Sequence, residues 1–184
     1  MSYSSKYILP DSGQFPNSHL PVLYYPDVLP LPSLFAAAGI KSLFTRNGWT
    51  NNWKGGIYTY SHYHSNTHEA MGIISGSTII RLGGDTGICL EINKGDLLII
   101  PAGVAHKNEG RQDDIVCIAG YPEGKYFDIN TGQPGERPDN DITIEAVPIP
   151  SNGPLGLETE IFSVWSRYRR SSCWSDQLSG DGIM

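Results

Sequence analysis

Short runs of apolar residues, separated by glycine and proline, fill the middle of the chain. In Ile88–Ile92 the apolar residues alternate with Cys89 and Glu91, so the predicted strand has one apolar face. Leu97–Ile100 is apolar throughout and is followed by Pro101, which is typical of a short buried strand. Such runs recur about every 8–12 residues, which favours an antiparallel sandwich or barrel. We expect the other strands at 57–64, 70–74, 77–82, 104–108 and 115–119.

The pattern differs toward the two ends of the chain. Residues 1–31 alternate prolines with aromatic and aliphatic residues, so we expect an extended arm that packs on the body. Ser33–Phe44 is rich in alanine and starts with a capping residue, which predicts a short helix that ends at Asn47-Gly48. We expect two outer strands, at 142–147 and 161–165, and a flexible tail at 171–184.

Length and charge limit the classes of function. The 184 residues predict a single domain, 1–184, with the barrel at about 50–165 behind the arm and helix of residues 1–49. The formal net charge is −6 and basic runs are short, which argues against nucleic acid or an anionic membrane as partner. No apolar run approaches the ~18 residues of a membrane span, and residues 1–6 lack a signal-peptide core, so we expect a cytoplasmic protein.

The cysteines give no sign of a disulfide framework. Cys89, Cys117 and Cys173 are an odd number at wide spacing. Cys89 and Cys117 lie in apolar strand-like runs and are expected to be buried free thiols, whereas Cys173 lies in a polar tail. This use of cysteine agrees with an intracellular location.

Histidine is concentrated in one part of the chain, because four of the five histidines lie between residues 62 and 106. His62 and His64 are two residues apart on a predicted strand, so both imidazoles should lie on one side. Tyr58 and Tyr60 should share that side. Two adjacent imidazoles suit a cation better than an apolar core, although His-x-His pairs also occur without a metal.

Glu69 and His106 occur where the chain can return to this pair. Four residues separate His64 from Glu69, enough for a turn that brings the carboxylate back beside the imidazoles. Pro101 and Gly103 allow a tight bend before His106. Considered alone, Glu69 also fits a solvated turn and His106 fits a histidine at a strand end.

Together these residues form two spaced patterns, Gly56-x5-His62-x-His64-x4-Glu69-x6-Gly76 and Gly95-x5-Pro101-x-Gly103-x2-His106. The patterns resemble the two signature motifs of the cupin superfamily, the first at every defined position and the second through its histidine. The asparagine that the second motif expects at residue 110 is Gly110, and the nearest asparagine is Asn108.

The resemblance implies an all-β fold, the double-stranded β-helix or RmlC-like jelly roll, with the metal inside the barrel. The implied cofactor is one divalent transition metal, either Fe, Mn, Ni, Cu, Co or Zn. The implied ligands are His62, His64, Glu69 and His106. Since His68 is adjacent to Glu69, strand alternation turns it to the other face, where it could orient a ligand, or it could replace His62.

Further segments resemble a poorly characterised branch of small cupins, some of which are similar to oxidoreductases of polyketide biosynthesis, a secondary metabolism. These segments include Tyr121-Pro122, Asp128-Ile129 and Pro134–Pro138. We therefore expect a metal-dependent, dioxygenase-like oxidoreductase that acts on a small oxygenated aromatic or polyketide-like substrate. The candidate catalytic residues are Glu69 and His68, and the candidate pocket residues are Tyr58, Tyr60 and Met71.

Two other functions fit the same residues. A metal site of this kind could drive an isomerase, lyase or cyclase reaction, with Glu69 or His68 moving a proton. A non-catalytic small-molecule-binding cupin is also open, because a fold does not fix a function. We expect a homodimer, in which the proline-rich arm covers a sheet edge of the partner.

Overall fold

The protein is described by a computed structural model over residues 5–31, 35–111, 114–156 and 161–168. In these ranges the strands are β1 (Ser5–Leu9), β2 (Ser18–Tyr25), β3 (Trp49–Gly55), β4 (Glu69–Leu82), β5 (Ile88–Asn93), β6 (Leu97–Ile100), β7 (His106–Asn108) and β8 (Ile115–Pro122). The helices are α1 (Ala36–Arg46), α2 (Asp139–Ala146) and α3 (Ile161–Trp165), and a single 3-10 turn follows at Ser166–Tyr168. Among the described residues, no helix combines the length and apolar character needed to cross a membrane.

All strand pairs in the described ranges are antiparallel, and the predicted all-β class of jelly-roll type is confirmed, although the sheet is not closed. The strand order of the large sheet is β1-β2-β6-β4-β8-β3. β4 belongs to both sheets, because its first half pairs with β6 and β8 and its second half pairs with β5 and β7. The two sheets therefore meet along one long strand.

The ladder between β4 and β8 is irregular next to Gly76. Gly76 has a φ of 74°, and a Cβ at this residue would lie 1.1 Å from the Asp114 carbonyl oxygen. Only glycine fits this backbone, which lets the chain pass from one sheet to the other without a break. The prediction of separate strands at 70–74 and 77–82 was wrong for this reason.

The centre of the large sheet is buried on both faces. On β6, Leu97 and Ile99 pack on the side of α1, whereas Leu98 and Ile100 pack on the interior side with the second sheet. Met71 on β4 also faces the interior. Burial on both faces explains why β6 is apolar throughout, and the interior face is the one that carries the candidate site.

Residues 1–31 do not form a separate arm where the structure describes them. β1 and β2 are antiparallel neighbours, and β2 continues the large sheet by pairing with β6 of the same chain. The expectation that this segment packs on the body is confirmed, and its pairing makes it part of the sheet itself. Helix α1 begins at Ala36, and Ser33 lies outside the described residues.

Three predicted strands were wrong. Residues 57–64 are irregular apart from isolated bridges at His62 and Tyr63, because the edge of β8 that faces away from β4 is taken by the earlier strand Trp49–Gly55. Residues 142–146 fall in α2, which ends just before Val147; its first turn carries Asp139 and Asp141, and acidic residues favour a helix start. Residues 161–165 are α3, whose Trp165 is fully buried against the sheet.

The two described cysteines differ in exposure. Cys117 is buried as expected, but Cys89 is exposed, so its prediction as a buried thiol was wrong. Cys89 lies on the outer face of β5 opposite Arg81, in the alternation that buries Ile92 on the other face. Cys173 and the tail at 171–184 lie outside the described residues.

Candidate metal site

Two of the candidate histidines are joined through their backbones. The His62 N–H donates to the His106 carbonyl at 3.2 Å, and the His106 N–H donates to the His62 carbonyl at 2.8 Å. β7 in turn pairs His106 with Leu82 at the end of β4. The second sheet therefore fixes the position of both imidazoles, even though residue 62 is not in a regular strand.

His64 is fixed from two sides. Its carbonyl accepts a hydrogen bond from the Gly103 N–H at 2.8 Å. Gly103 has a φ of 90°, and a Cβ there would lie 2.3 Å from the Asn17 carbonyl oxygen, so the bend before β7 requires glycine. On the other side, the His64 ring contacts Asp128 through a hydrogen bond from Nδ1 to the backbone carbonyl at 2.5 Å.

All three rings present the same nitrogen to the centre of the site. The Nδ1 atoms of His62, His64 and His106 each face a backbone carbonyl, those of Tyr60, Asp128 and Val104 respectively. A carbonyl can only accept, so each Nδ1 carries a proton, and in the neutral imidazole each Nε2 keeps a free lone pair. One ligand atom from each ring lies within 4.8 Å of the others, and all three residues are buried.

Glu69 is the first residue of β4 and faces the interior beside these rings. Its Oε1 accepts a hydrogen bond from the Tyr121 hydroxyl at 3.0 Å, and that hydroxyl accepts one from Trp53 Nε1 at 2.8 Å. Its Oε2 is 3.2 Å from His106 Nε2 and 3.5 Å from His64 Nε2. Neither contact is a hydrogen bond, since Glu69 Oε2 and His64 Nε2 have no hydrogen-bond partner among the described residues.

The electrostatics of the site favour a cation between these atoms. Burial raises the pKa of Glu69, but the His106 and His64 imidazoles lower this pKa by more than burial raises it. The carboxyl group therefore stays ionised. Burial and the neighbouring His106 and His64 rings lower the pKa of His62 to about 3. Burial also opposes charge on His64, yet Glu69 raises its pKa overall. A buried carboxylate facing lone pairs is costly unless positive charge is placed between them.

A small cavity opens above the four side chains. Its volume is about 10 Å³, roughly the space that one water-sized sphere occupies. Apart from the four candidate ligands, its lining residues are Trp53, Ile57, Tyr58, Met71, Tyr121 and Phe127.

The predicted pocket residues are placed at different distances from this cavity. Tyr58 and Met71 line it. Tyr60 is not among its lining residues but stacks on Tyr58 with ring centroids 5.0 Å apart, and both tyrosines are nearly half exposed. The two rings lie 5.1 and 5.6 Å from the His62 ring, so they form an aromatic mouth beside that candidate ligand.

His68 is buried on the other side of the sheet. Its Nδ1 accepts a hydrogen bond from the Ala102 N–H at 2.9 Å, and its ring packs 4.6 Å from that of Trp165. Burial lowers its pKa to about 4. The structure does not bring His68 to the cavity, because strand alternation at residue 69 turns the two neighbours to opposite faces.

Sequence reasoning did not single out several residues of the site. Trp53 and Tyr121 support Glu69, and Phe127 packs on the His64 ring with centroids 5.0 Å apart. Asp128 holds His64 through its backbone, which no side-chain pattern could reveal. Of these residues, Tyr121 and Asp128 lie in segments that were noticed only as a family resemblance, and Trp53 and Phe127 lie in none of those segments.

Comparison with curated proteins found a related sequence. No family model matches the chain. An uncharacterised protein of Bacillus subtilis (strain 168), YjlB, is 34% identical over 161 residues, which are 86% of this chain and 94% of the relative.

Solved structures give weaker likenesses. An acireductone dioxygenase from Bacillus anthracis, with cadmium in its active centre, has a TM-score of 0.39 and 18% identity over 58% of this chain and 80% of that chain. QdtA, a sugar 3,4-ketoisomerase from Thermoanaerobacterium thermosaccharolyticum, has a TM-score of 0.36 and 20% identity over 44% of this chain and 62% of that chain. Pumpkin seed globulin has a TM-score of 0.37 and 20% identity, and the chain spans 22% of its length.

Proposed function

The chain belongs to the same family as the Bacillus subtilis protein YjlB, and we propose that it is a metal-dependent oxidoreductase of the dioxygenase type. Its substrate would be a small oxygenated aromatic or polyketide-like molecule. The metal would be held by His62, His64, Glu69 and His106. The proposal extends the cupin-like architecture of the fold to a specific site and reaction class.

The observation that carries the proposal is the set of unsatisfied atoms at the centre of the site. Three imidazoles have their Nδ1 protons committed to backbone carbonyls, and the free Nε2 atoms of His64 and His106 face the same carboxylate oxygen. Without a cation, lone pairs would oppose lone pairs in a buried setting. Three nitrogen donors and one oxygen donor fit a divalent transition metal and leave coordination positions open.

When bound, such a metal would supply Lewis acidity and open positions for oxygen and substrate. The protein itself would orient the ligands and exclude water. Tyr121, whose hydroxyl accepts from Trp53, donates to one carboxylate oxygen of Glu69, which leaves the other oxygen directed at the histidines. Met71 and Ile57 present apolar surface to the cavity.

The charge of the site suggests the kind of substrate. Glu69 is the one acidic side chain among the described residues that line the cavity. A divalent cation with one carboxylate would leave a net charge of about +1, which favours an anionic oxygen such as a phenolate, enolate or carboxylate. The cavity, at about 10 Å³, has no room for the body of such a molecule. The body of the substrate would therefore lie at the mouth, where Tyr58 and Tyr60 suit a planar ring.

A proton-transferring isomerase or lyase is less well supported. Once the four ligands are assigned to metal, the titratable groups that remain on the described lining of the cavity are the phenols of Tyr58 and Tyr121. Burial, together with Glu69, raises the pKa of Tyr121, so this hydroxyl stays a donor rather than a base. His68, a candidate for moving a proton, is on the other face of the sheet.

The test is oxygen consumption with hydroxylated benzaldehydes and related phenols as probes. The protein is purified without a histidine tag, reconstituted with each of the six candidate metals, and compared with the chelated protein and with His106→Ala. We expect metal-dependent oxygen uptake that His106→Ala abolishes. Equal uptake by the chelated protein would contradict the proposal.

An anaerobic arm separates the alternatives. Substrate conversion that persists without oxygen, with no redox change in the product, would replace the oxidoreductase with an isomerase or lyase. Probe binding without conversion under any condition would instead indicate a binding protein.

A further inference from the structure

We propose that Asp128 is a positioning residue for the metal ligand His64, and that it works by clamping the loop of residues 126–130 onto the segment that carries the ligand. This inference rests on the proposed metal site. Asp128 lies after β8, far from His64 in sequence, and does not line the cavity. Its role would be to fix the orientation and the tautomer of one imidazole.

The carboxylate of Asp128 is committed to the residue next to the ligand. Oδ1 accepts the Ser65 backbone N–H at 2.8 Å, and Oδ2 accepts the Ser65 hydroxyl at 2.5 Å. Oδ2 also accepts from Asn130 Nδ2 at 2.8 Å, which holds the carboxylate within its own loop. Two bonds to one serine fix both the position and the direction of the chain there, and bonds to a charged acceptor are the stronger kind.

The same residue provides the acceptor for the His64 proton. The Asp128 carbonyl oxygen is 2.5 Å from His64 Nδ1. With the proton held at Nδ1, the His64 Nε2 lone pair is available to a metal. The side chain and the backbone of Asp128 therefore act on adjacent residues. The carboxylate anchors the loop to Ser65, and this anchoring holds the Asp128 carbonyl beside the His64 ring.

Other hydrogen bonds position the loop of residues 126–130 but do not involve the His64 ring. Tyr63 and Asn130 exchange backbone hydrogen bonds at 2.9 and 3.0 Å, and Asn66 Nδ2 donates to the Tyr126 carbonyl at 3.1 Å. These contacts keep the loop near the 62–66 segment. Among the described residues, Asp128 is the one whose contacts converge on both Ser65 and the His64 ring.

Loss of the clamp should weaken metal binding while leaving all four ligands in the sequence. Partners that hold a ligating histidine typically contribute about 10–100-fold in metal affinity. We expect Asp128→Ala to lower the affinity for Co(II) by about that factor. Asp128→Asn keeps an oxygen for the Ser65 N–H, so it should recover part of the loss.

The chain offers a matched control in Asp96. Its carboxylate also accepts one hydroxyl, that of Tyr24, and two backbone N–H groups, those of Asp27 and Asn93. None of these partners belongs to the candidate site. Asp96→Ala should therefore lower the unfolding temperature without changing the affinity for Co(II).

The experiment measures Co(II) affinity by competition with a chromophoric chelator, using the full chain and the visible absorption of bound cobalt. Wild type, Asp128→Ala, Asp128→Asn and Asp96→Ala are compared. In the zinc-loaded protein, nitrogen-15 NMR of the imidazoles adds a second readout. The His64 Nδ1 proton should be protected from exchange in the wild type and exchange faster in Asp128→Ala.

Ser65→Ala serves if Asp128→Ala does not fold. It removes only the hydroxyl bond to the carboxylate, and we expect a loss of affinity of a few-fold. If both residues act through their shared contact, the double variant Ser65→Ala/Asp128→Ala should bind no more weakly than Asp128→Ala.

The possible results are distinct. Wild type that binds no Co(II) would overturn the proposed metal site itself. If the wild type binds Co(II) and both Asp128→Ala and Ser65→Ala bind it equally well, only the clamp is overturned. Equal losses of Co(II) affinity in Asp96→Ala and Asp128→Ala would also overturn the clamp, because they would point to general destabilisation of the fold.

Discussion

Tyr121→Phe removes one hydroxyl group beside the candidate metal site and nothing else. In the native protein this hydroxyl donates to Glu69 Oε1 and accepts from Trp53 Nε1. A hydrogen bond to a charged acceptor contributes about 1.5–3 kcal/mol. The indole N–H left without a partner adds about 1 kcal/mol. We therefore expect the metal-free variant to lose about 2.5–4 kcal/mol of unfolding free energy, which a domain with a total of about 5–15 kcal/mol can survive.

Metal affinity should fall as well, because Glu69 would lose the donor that fixes its orientation. Residues that orient a ligand typically contribute about 10–100-fold, and a single donor to a carboxylate should lie near the lower end. Tyr24→Phe is the matched control, since the Tyr24 hydroxyl also donates to a carboxylate, Asp96, at 2.8 Å. Asp96 keeps two backbone donors after this change, whereas both oxygens of Glu69 would be left without one. Tyr24→Phe should therefore cost about 1.5 kcal/mol, the lower end of the range for a bond to a charged acceptor, and leave metal affinity unchanged.

The assay is urea denaturation of the chelated proteins, followed by Co(II) competition on the same preparations. The expected order of stability is wild type, Tyr24→Phe, Tyr121→Phe, and only the last should bind cobalt more weakly. The reasoning would be refuted if Tyr121→Phe matched Tyr24→Phe in both measurements. In that case Glu69 would not depend on the hydroxyl that contacts it.

Three further predictions concern the fold and assembly. Gly103→Ala should lower the unfolding free energy by more than Gly135→Ala. Both glycines have positive φ, but of the two only Gly103 is crowded by the Asn17 carbonyl. Comparable losses of unfolding free energy in urea denaturation would count against this prediction. In the variant Cys173→Ser, a thiol reagent should modify Cys89 quickly and Cys117 only on unfolding, since the first is exposed and the second buried; two fast thiols would disprove it. The predicted homodimer is tested by light scattering on the eluting protein, where a mass near 20.2 kDa would show a monomer instead.

The sequence was most informative where spacing and alternation act together. The alternation of Ile88–Ile92 fits a strand with one buried face, and the apolar run of Leu97–Ile100 fits a strand buried on both faces. β5 and β6 were therefore predicted with nearly the right bounds. The spaced histidines and Glu69 likewise pointed to residues that the structure brings together. Such patterns are local, and local geometry decides which way a side chain points.

The errors arose where tertiary contacts override local preference. Residues 57–64 have the composition of a strand, yet the place beside β8 is taken by β3, so only isolated bridges form. Residues 161–165 are helical, with Trp165 buried against the sheet and its Nε1 donating to the Pro21 carbonyl. The supports of the site, Tyr121 and Asp128, act across wide sequence separations, and no spacing rule connects them to Glu69 or His64.

The central claim is that one divalent metal binds to three imidazole nitrogens and one carboxylate oxygen. The most direct measurement is anomalous diffraction at the metal absorption edge, from crystals of untagged protein purified without added metal. We predict a single peak at about 2.0–2.2 Å from the Nε2 atoms of His62, His64 and His106 and from Glu69 Oε2. A well-ordered site with no peak there, or a peak held by other residues, would contradict the account.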